Sequence, residues 1–100
     1  MKLLASDLEQ IRRYFSARPV IRAYLFGSYV RDQADERSDI DIMIELDYQQ
    51  RVGLLFVQMQ MDLEEILDAK VDLVSANGLS KYIKPRVDKE KKLIYERSVG

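Results

Sequence analysis

Two aspartates one residue apart, Asp39 and Asp41, sit in the run SDIDIMIEL, where apolar and polar residues alternate with period two. In an extended strand Ile40, Ile42, Ile44 and Leu46 fall on one face, and Asp39, Asp41, Met43 and Glu45 fall on the other. Residues two apart on a strand point the same way, roughly 6 to 7 Å from each other, so the two carboxylates share one side of a sheet whose other side is core. Like charges placed there repel, and Asp is a poor strand former, so stability alone does not select them. A hard cation relieves the repulsion. Glu45 shares their face but lies about 13 Å beyond Asp41, and is expected to be solvated rather than a ligand.

A third carboxylate comes from the short apolar run KVDLV, residues 70–74, where Val71 and Leu73 face one way and Asp72 the other. If this strand lies beside the one carrying Asp41, three carboxylates surround one spot. Magnesium takes oxygen ligands in octahedral geometry and is usually held by one or two carboxylates plus substrate phosphates. Two such ions about 3.5 to 4 Å apart stabilise both the attacking and the leaving oxygen of an in-line displacement, and three carboxylates suit two ions. Gly27-Ser28 supplies the complementary half of such a site: Gly permits close backbone approach, Ser28 can cap the short segment that follows, and the amides there can cradle a phosphate. Arg31 adds a charge suited to phosphate, weighed against the commoner fate of a solvated surface arginine.

These residues need scaffolding, and the chain supplies it in order. Leu8, Ile11, Tyr14 and Phe15 form a helical stripe after the capping spacing Ser6-x-x-Glu9, ended by Pro19. Val20 to Phe26 alternates as a strand that stops at Gly27-Ser28. Tyr29 to Ala34 then suits one to two helical turns, and 35–38 turn the chain back. Residues 50–68 carry the longest helical pattern, with Val52, Phe56, Met59, Leu63 and Ile66 as a core stripe. Leu54, Val57 and Met61 form a second apolar stripe on the opposite side, destined either for the N-terminal helix or for a partner. Residues 79–87 look helical, with a break or fresh start at Pro85, and 93–95 suit a last edge strand. Lys89, Lys91 and Lys92 are expected to be a wet surface.

Composition narrows the chemistry. The 100 residues, 47% hydrophobic and 33% charged, suit a single domain spanning 1–100 with a modest core. A net charge of −1 offers no footprint for nucleic acid. No apolar run is long enough to span a membrane, and the N-terminus turns polar too early for a signal peptide, which makes the cytoplasm the expected compartment. With no Cys and no His, Cys or His zinc sites, thiol nucleophiles, imidazole bases and a Ser28 nucleophile activated by histidine are all excluded. Catalysis would have to run on carboxylates, hydroxyls, Lys or Arg, and an oxygen-loving metal.

Gly27-Ser28, ten intervening residues and Asp39-Ile40-Asp41 together resemble the G-S-x10-D-x-D signature of the nucleotidyltransferase superfamily that includes DNA polymerase beta. In length and in the later strand KVDLV the whole chain is similar to the minimal nucleotidyltransferase (MNT) family. The resemblance implies an α/β (α+β) fold, a small mixed sheet flanked by helices, with ATP as substrate and magnesium, two ions, as cofactor. It implies that Gly27 and Ser28 hold the triphosphate, that Asp39 and Asp41 ligate metal, and that Asp72 ligates metal and activates the acceptor. It also implies a partner: many members are antitoxins that adenylylate a tyrosine of a HEPN-domain ribonuclease toxin. Where the family commonly has Arg-Gly after the turn, this chain has Arg31-Asp32, whose extra negative charge bears on nucleotide affinity. The expected activity is therefore transfer of AMP from ATP to a toxin tyrosine. The alternatives are an antitoxin acting by contact alone and a small-molecule adenylyltransferase, the latter disfavoured by the lack of a second lobe.

Overall fold

In a computed structural model, residues 3–31, 39–49 and 52–98 are described. The expected turn at 35–38, and the end of the helical segment expected from Tyr29 to Ala34, lie outside them. The elements follow in the order α1 (Ala5–Ser16), β1 (Val20–Phe26), a 3-10 turn (Gly27–Tyr29), β2 (Ile40–Leu46), α2 (Leu55–Leu67), β3 (Val71–Ser75), a second 3-10 turn (Ala76–Gly78), α3 (Lys84–Glu90) and β4 (Lys92–Glu96).

The four strands form one mixed sheet in the order β3-β2-β1-β4. β1 runs antiparallel to β2 and β4, and β2 runs parallel to β3 through the α2 crossover. One face of the sheet meets α1 and α2. Ile40, Ile42 and Ile44 of β2, Ala23 and Leu25 of β1, and Val71 and Leu73 of β3 pack there with Ile11, Phe15, Met59 and Leu63 in a single apolar cluster. This is the face that period-two alternation assigns to the core.

Two helix starts differ from the sequence reading. α1 begins one residue before Ser6, and the Asp7 carboxylate, not Glu9, accepts the Leu4 amide at 3.0 Å, so the capping acid sits one turn from Leu4. α2 begins at Leu55 rather than at 50, because Gly53 takes φ +40 and the chain turns before the helix starts. It ends on Asp68 in the left-handed conformation, φ 49, as a C-terminal cap. α3 makes the fresh start expected near Pro85, which occupies its first turn, where a missing N–H costs nothing.

The opposite face of the sheet is covered in part, which the sequence reading did not foresee. Met43 is in phase with Asp41 yet only 1% exposed, and Val87 of α3 is 2% exposed. Neither belongs to the main cluster. Further along this face Arg22 pairs with Glu45 at 2.8 Å and with Glu96 at 2.7 Å, and the Lys91 ammonium stands 4.5 Å from the Tyr24 ring. Glu45 is therefore an ion-paired residue rather than a solvated one, and Lys91 is packed rather than merely wet.

Candidate active site

β2 and β3 bring the acidic residues together through their register. Asp41 of β2 is paired directly with Asp72 of β3, and on the other side of β2 it is paired with Phe26, the last residue of β1. Paired residues in a sheet project to the same face, so Asp41 and Asp72 stand side by side and Asp39 precedes them by one strand repeat. Asp39 and Asp72 are exposed, and Asp41 is half-buried. Burial, then the charges of Asp72 and Asp39, push the Asp41 carboxyl up to about 6, partly offset by Arg31. The repulsion expected from the sequence thus falls on the central member of the three. Among the described residues no three acidic side chains close around one point as a finished metal cage.

Gly27 completes this end of the sheet. β1 stops there because φ is +78, a conformation that favours glycine. A Cβ at this position would lie 2.1 Å from Asp41 Oδ2. The absence of a side chain is what lets the Asp41 carboxylate lie against the turn. The 3-10 turn that begins at Gly27 carries Ser28, partly exposed, and the amides of Val30 and Arg31 just beyond it donate back to the Gly27 carbonyl at 3.1 and 3.2 Å.

Residues 82–90 stand over this end of the face. A cleft of about 330 Å³ is lined by Phe26, Gly27, Arg31 and Asp41 on one side and by Tyr82, Ile83, Arg86, Val87 and Glu90 on the other. α3 is thus a wall of the site. Arg31 is not a solvated arginine: its guanidinium pairs with Glu90 at 3.0 Å, across 59 residues of chain. Glu90 is a site residue that sequence reasoning missed. It lies in a charged stretch, DKEKK, where local pattern marks nothing, and only the docking of α3 distinguishes it from its neighbours.

A sequence profile of the family described as "Polymerase beta, Nucleotidyltransferase" matches residues 9–99. The chain belongs to this family. Protein adenylyltransferase MntA of Thermococcus cleftensis is 35% identical over 89 residues, covering 88% of this chain and 85% of the relative. Among solved structures, a toxin–antitoxin with AMP-PNP superposes with a TM-score of 0.74 at 23% identity, over 95% of this chain and 76% of the other. A tri-AMPylated Shewanella oneidensis HEPN toxin in complex with MNT antitoxin gives a TM-score of 0.68 at 22% identity, over 91% of this chain and 71% of the other. At those identities the structures speak for the fold: the small mixed sheet flanked by helices is that of a nucleotidyltransferase.

Proposed function

We propose that this nucleotidyltransferase domain acts as an antitoxin, transferring AMP from ATP to a tyrosine hydroxyl of a HEPN-domain ribonuclease toxin and so silencing it. The observation that carries the reading is the register pair Asp41–Asp72 standing beside the glycine turn at Gly27. Further support comes from the name of the Thermococcus cleftensis relative, from the AMP-PNP bound in one structural neighbour and from the AMPylated toxin in another.

Asp39, Asp41 and Asp72 offer only hard oxygen donors, and their mutual repulsion, registered at Asp41, is what a divalent cation neutralises. The residues fit magnesium, with Asp39 and Asp41 as principal ligands and Asp72 contributing to one ion. Bound there, magnesium supplies charge neutralisation for the phosphates and for the in-line displacement. The chain's own groups do the rest. The Gly27 and Ser28 amides and the Arg31 guanidinium orient the triphosphate. Asp72, which is exposed on an edge strand, accepts the tyrosine proton in this reading as the phenolic oxygen attacks the α-phosphorus. The bond from the α-phosphorus to the bridging oxygen breaks, pyrophosphate leaves, and the proton passes from Asp72 to solvent.

The test is the intact mass of the partner toxin after incubation with ATP and magnesium. Wild-type domain should add AMP to it, and Asp39→Asn with Asp41→Asn should add none while still binding the toxin. A toxin that stays unmodified yet is neutralised equally by wild type and double mutant would establish contact-only neutralisation instead.

A further inference from the structure

The carboxylate of Glu90, in the last turn of α3, reaches into the Gly27 turn. Its Oε1 accepts the Gly27 backbone N–H at 3.1 Å and an Arg31 guanidinium N–H at 3.2 Å, while Oε2 accepts from the same Arg31 nitrogen at 3.0 Å. The Glu90 side chain is 17% exposed and that of Arg31 34% exposed. A backbone amide and a guanidinium converging on two carboxylate oxygens make an oxyanion site. Here it is filled from within. These are also two of the donors that the proposed function assigns to the nucleotide's phosphates.

The placement of Glu90 also carries an electrostatic cost. It adds a fourth negative charge beside Asp41 and is one of the charges that burden it. Three carboxylates already lie near this end of the sheet, and the Gly27 amide and Arg31 offset that repulsion. A triphosphate brings several negative charges to the same donors and cannot share them with Glu90. An alternative partner for the displaced carboxylate is at hand, because Arg86 lies one helical turn earlier on α3 and lines the same cleft.

We infer that Glu90 is an internal competitor for the phosphate position: its carboxylate holds the Gly27 amide and Arg31 in the free protein, leaves them when a nucleoside triphosphate binds, and thereby sets nucleotide affinity. This rests on the nucleotide-binding reading of the site. It makes Glu90 a positioning residue rather than a catalytic one.

The experiment is calorimetric titration of the purified domain with Mg-ATP and separately with magnesium tripolyphosphate, for wild type, Glu90→Gln, Glu90→Asp and Glu90→Gln combined with Arg31→Ala. Removing a competitor that fills the site most of the time should tighten both probes by about fivefold or more in Glu90→Gln. The gain should be equal for the two probes, because it lies at the phosphate end. Glu90→Asp, which retains the charge but draws it back by one methylene, should give a smaller gain in the same direction. Adding Arg31→Ala should remove most of the gain. If wild type binds Mg-ATP and neither Glu90 variant binds it more tightly, Glu90 is only a structural tie between α3 and the turn, and the inference fails while the nucleotide reading stands. If no folded variant binds either probe, both fail together. A structure of the wild-type domain with AMP-PNP in which Glu90 still accepts the Gly27 amide overturns the inference without recourse to any variant.

Discussion

Gly27 has less freedom to change than any other residue of the site, for two independent reasons. Its φ of +78 strains any L side chain, and a Cβ would collide with Asp41 Oδ2. Gly27→Ala is therefore expected to lower stability by roughly 1 to 3 kcal/mol, read by urea unfolding, and to abolish Mg-ATP binding because Asp41 must move aside. Asp41 carries the opposite signature: it costs stability when it is charged. Its carboxyl is raised from 3.8 to about 6 by burial and by Asp72 and Asp39, so the folded state holds the proton more tightly than the unfolded one. The cost is absent below about pH 4, grows as pH rises, and is complete above about pH 6. With metal removed by chelator, the wild-type domain should lose stability across that window, and Asp41→Asn should lose less. At pH 7.5 the Asn variant should be more stable by about 1 kcal/mol, a figure kept small because water screens this half-exposed site. Thermal melts at pH 5 and pH 7.5 measure it, and a wild type that melts higher at pH 7.5 counts against the reading.

At the scale of elements, α2 and α3 each resolve a question that periodicity poses without answering. α2 has two apolar stripes, and only one is needed for the core. Met59 and Leu63 are fully buried, whereas Leu54 is 86% exposed, Val57 57% and Met61 58%. The second stripe is thus not packed on α1. Under the proposed function it is the surface that receives the toxin. Val57→Glu with Met61→Glu should leave the melting temperature and Mg-ATP binding unchanged while weakening the complex with the toxin by tenfold or more in Kd, about 1.4 kcal/mol. Pull-down or calorimetry with the purified toxin decides, and undiminished affinity moves the docking surface elsewhere. α3 answers the question of what covers the acidic face: Pro85 starts the helix, Val87 anchors it, and Glu90 ties it to the turn after β1.

The whole molecule is a small sheet that packs one face in a single core and leaves acidic residues exposed at the end of the other. Asp39 and Asp72 from the sheet and Glu90 from α3 all bear on Asp41 at that end, as does the opposite charge of Arg31. Such a fold is most stable when ligand neutralises the site. Saturating Mg-ATP at 100 times its dissociation constant should add about 2.7 kcal/mol of stability and raise the melting temperature accordingly. Asp41→Asn should forfeit most of that gain, and a wild type unshifted by Mg-ATP would speak against a working nucleotide site.

What the chain alone determined was whatever depends on neighbours in sequence. Alternation in Asp39 to Leu46 settles which face of β2 is core and which carries carboxylates, because side chains two apart must project together. The Gly27-Ser28 spacing to Asp39 and Asp41, and the short apolar strand around Asp72, were legible for the same reason, and they carried the family resemblance. The tertiary structure decided what depends on residues far apart: the register that sets Asp41 against Asp72, the exposure of Val57 and Met61, and the docking of α3. Glu90 and Gly27 are 63 residues apart, and no local pattern encodes a contact between a helix end and a strand end. That contact exists because the chain turns back through α3 to place β4 beside β1, and the geometry of this return brings a carboxylate to the Gly27 turn.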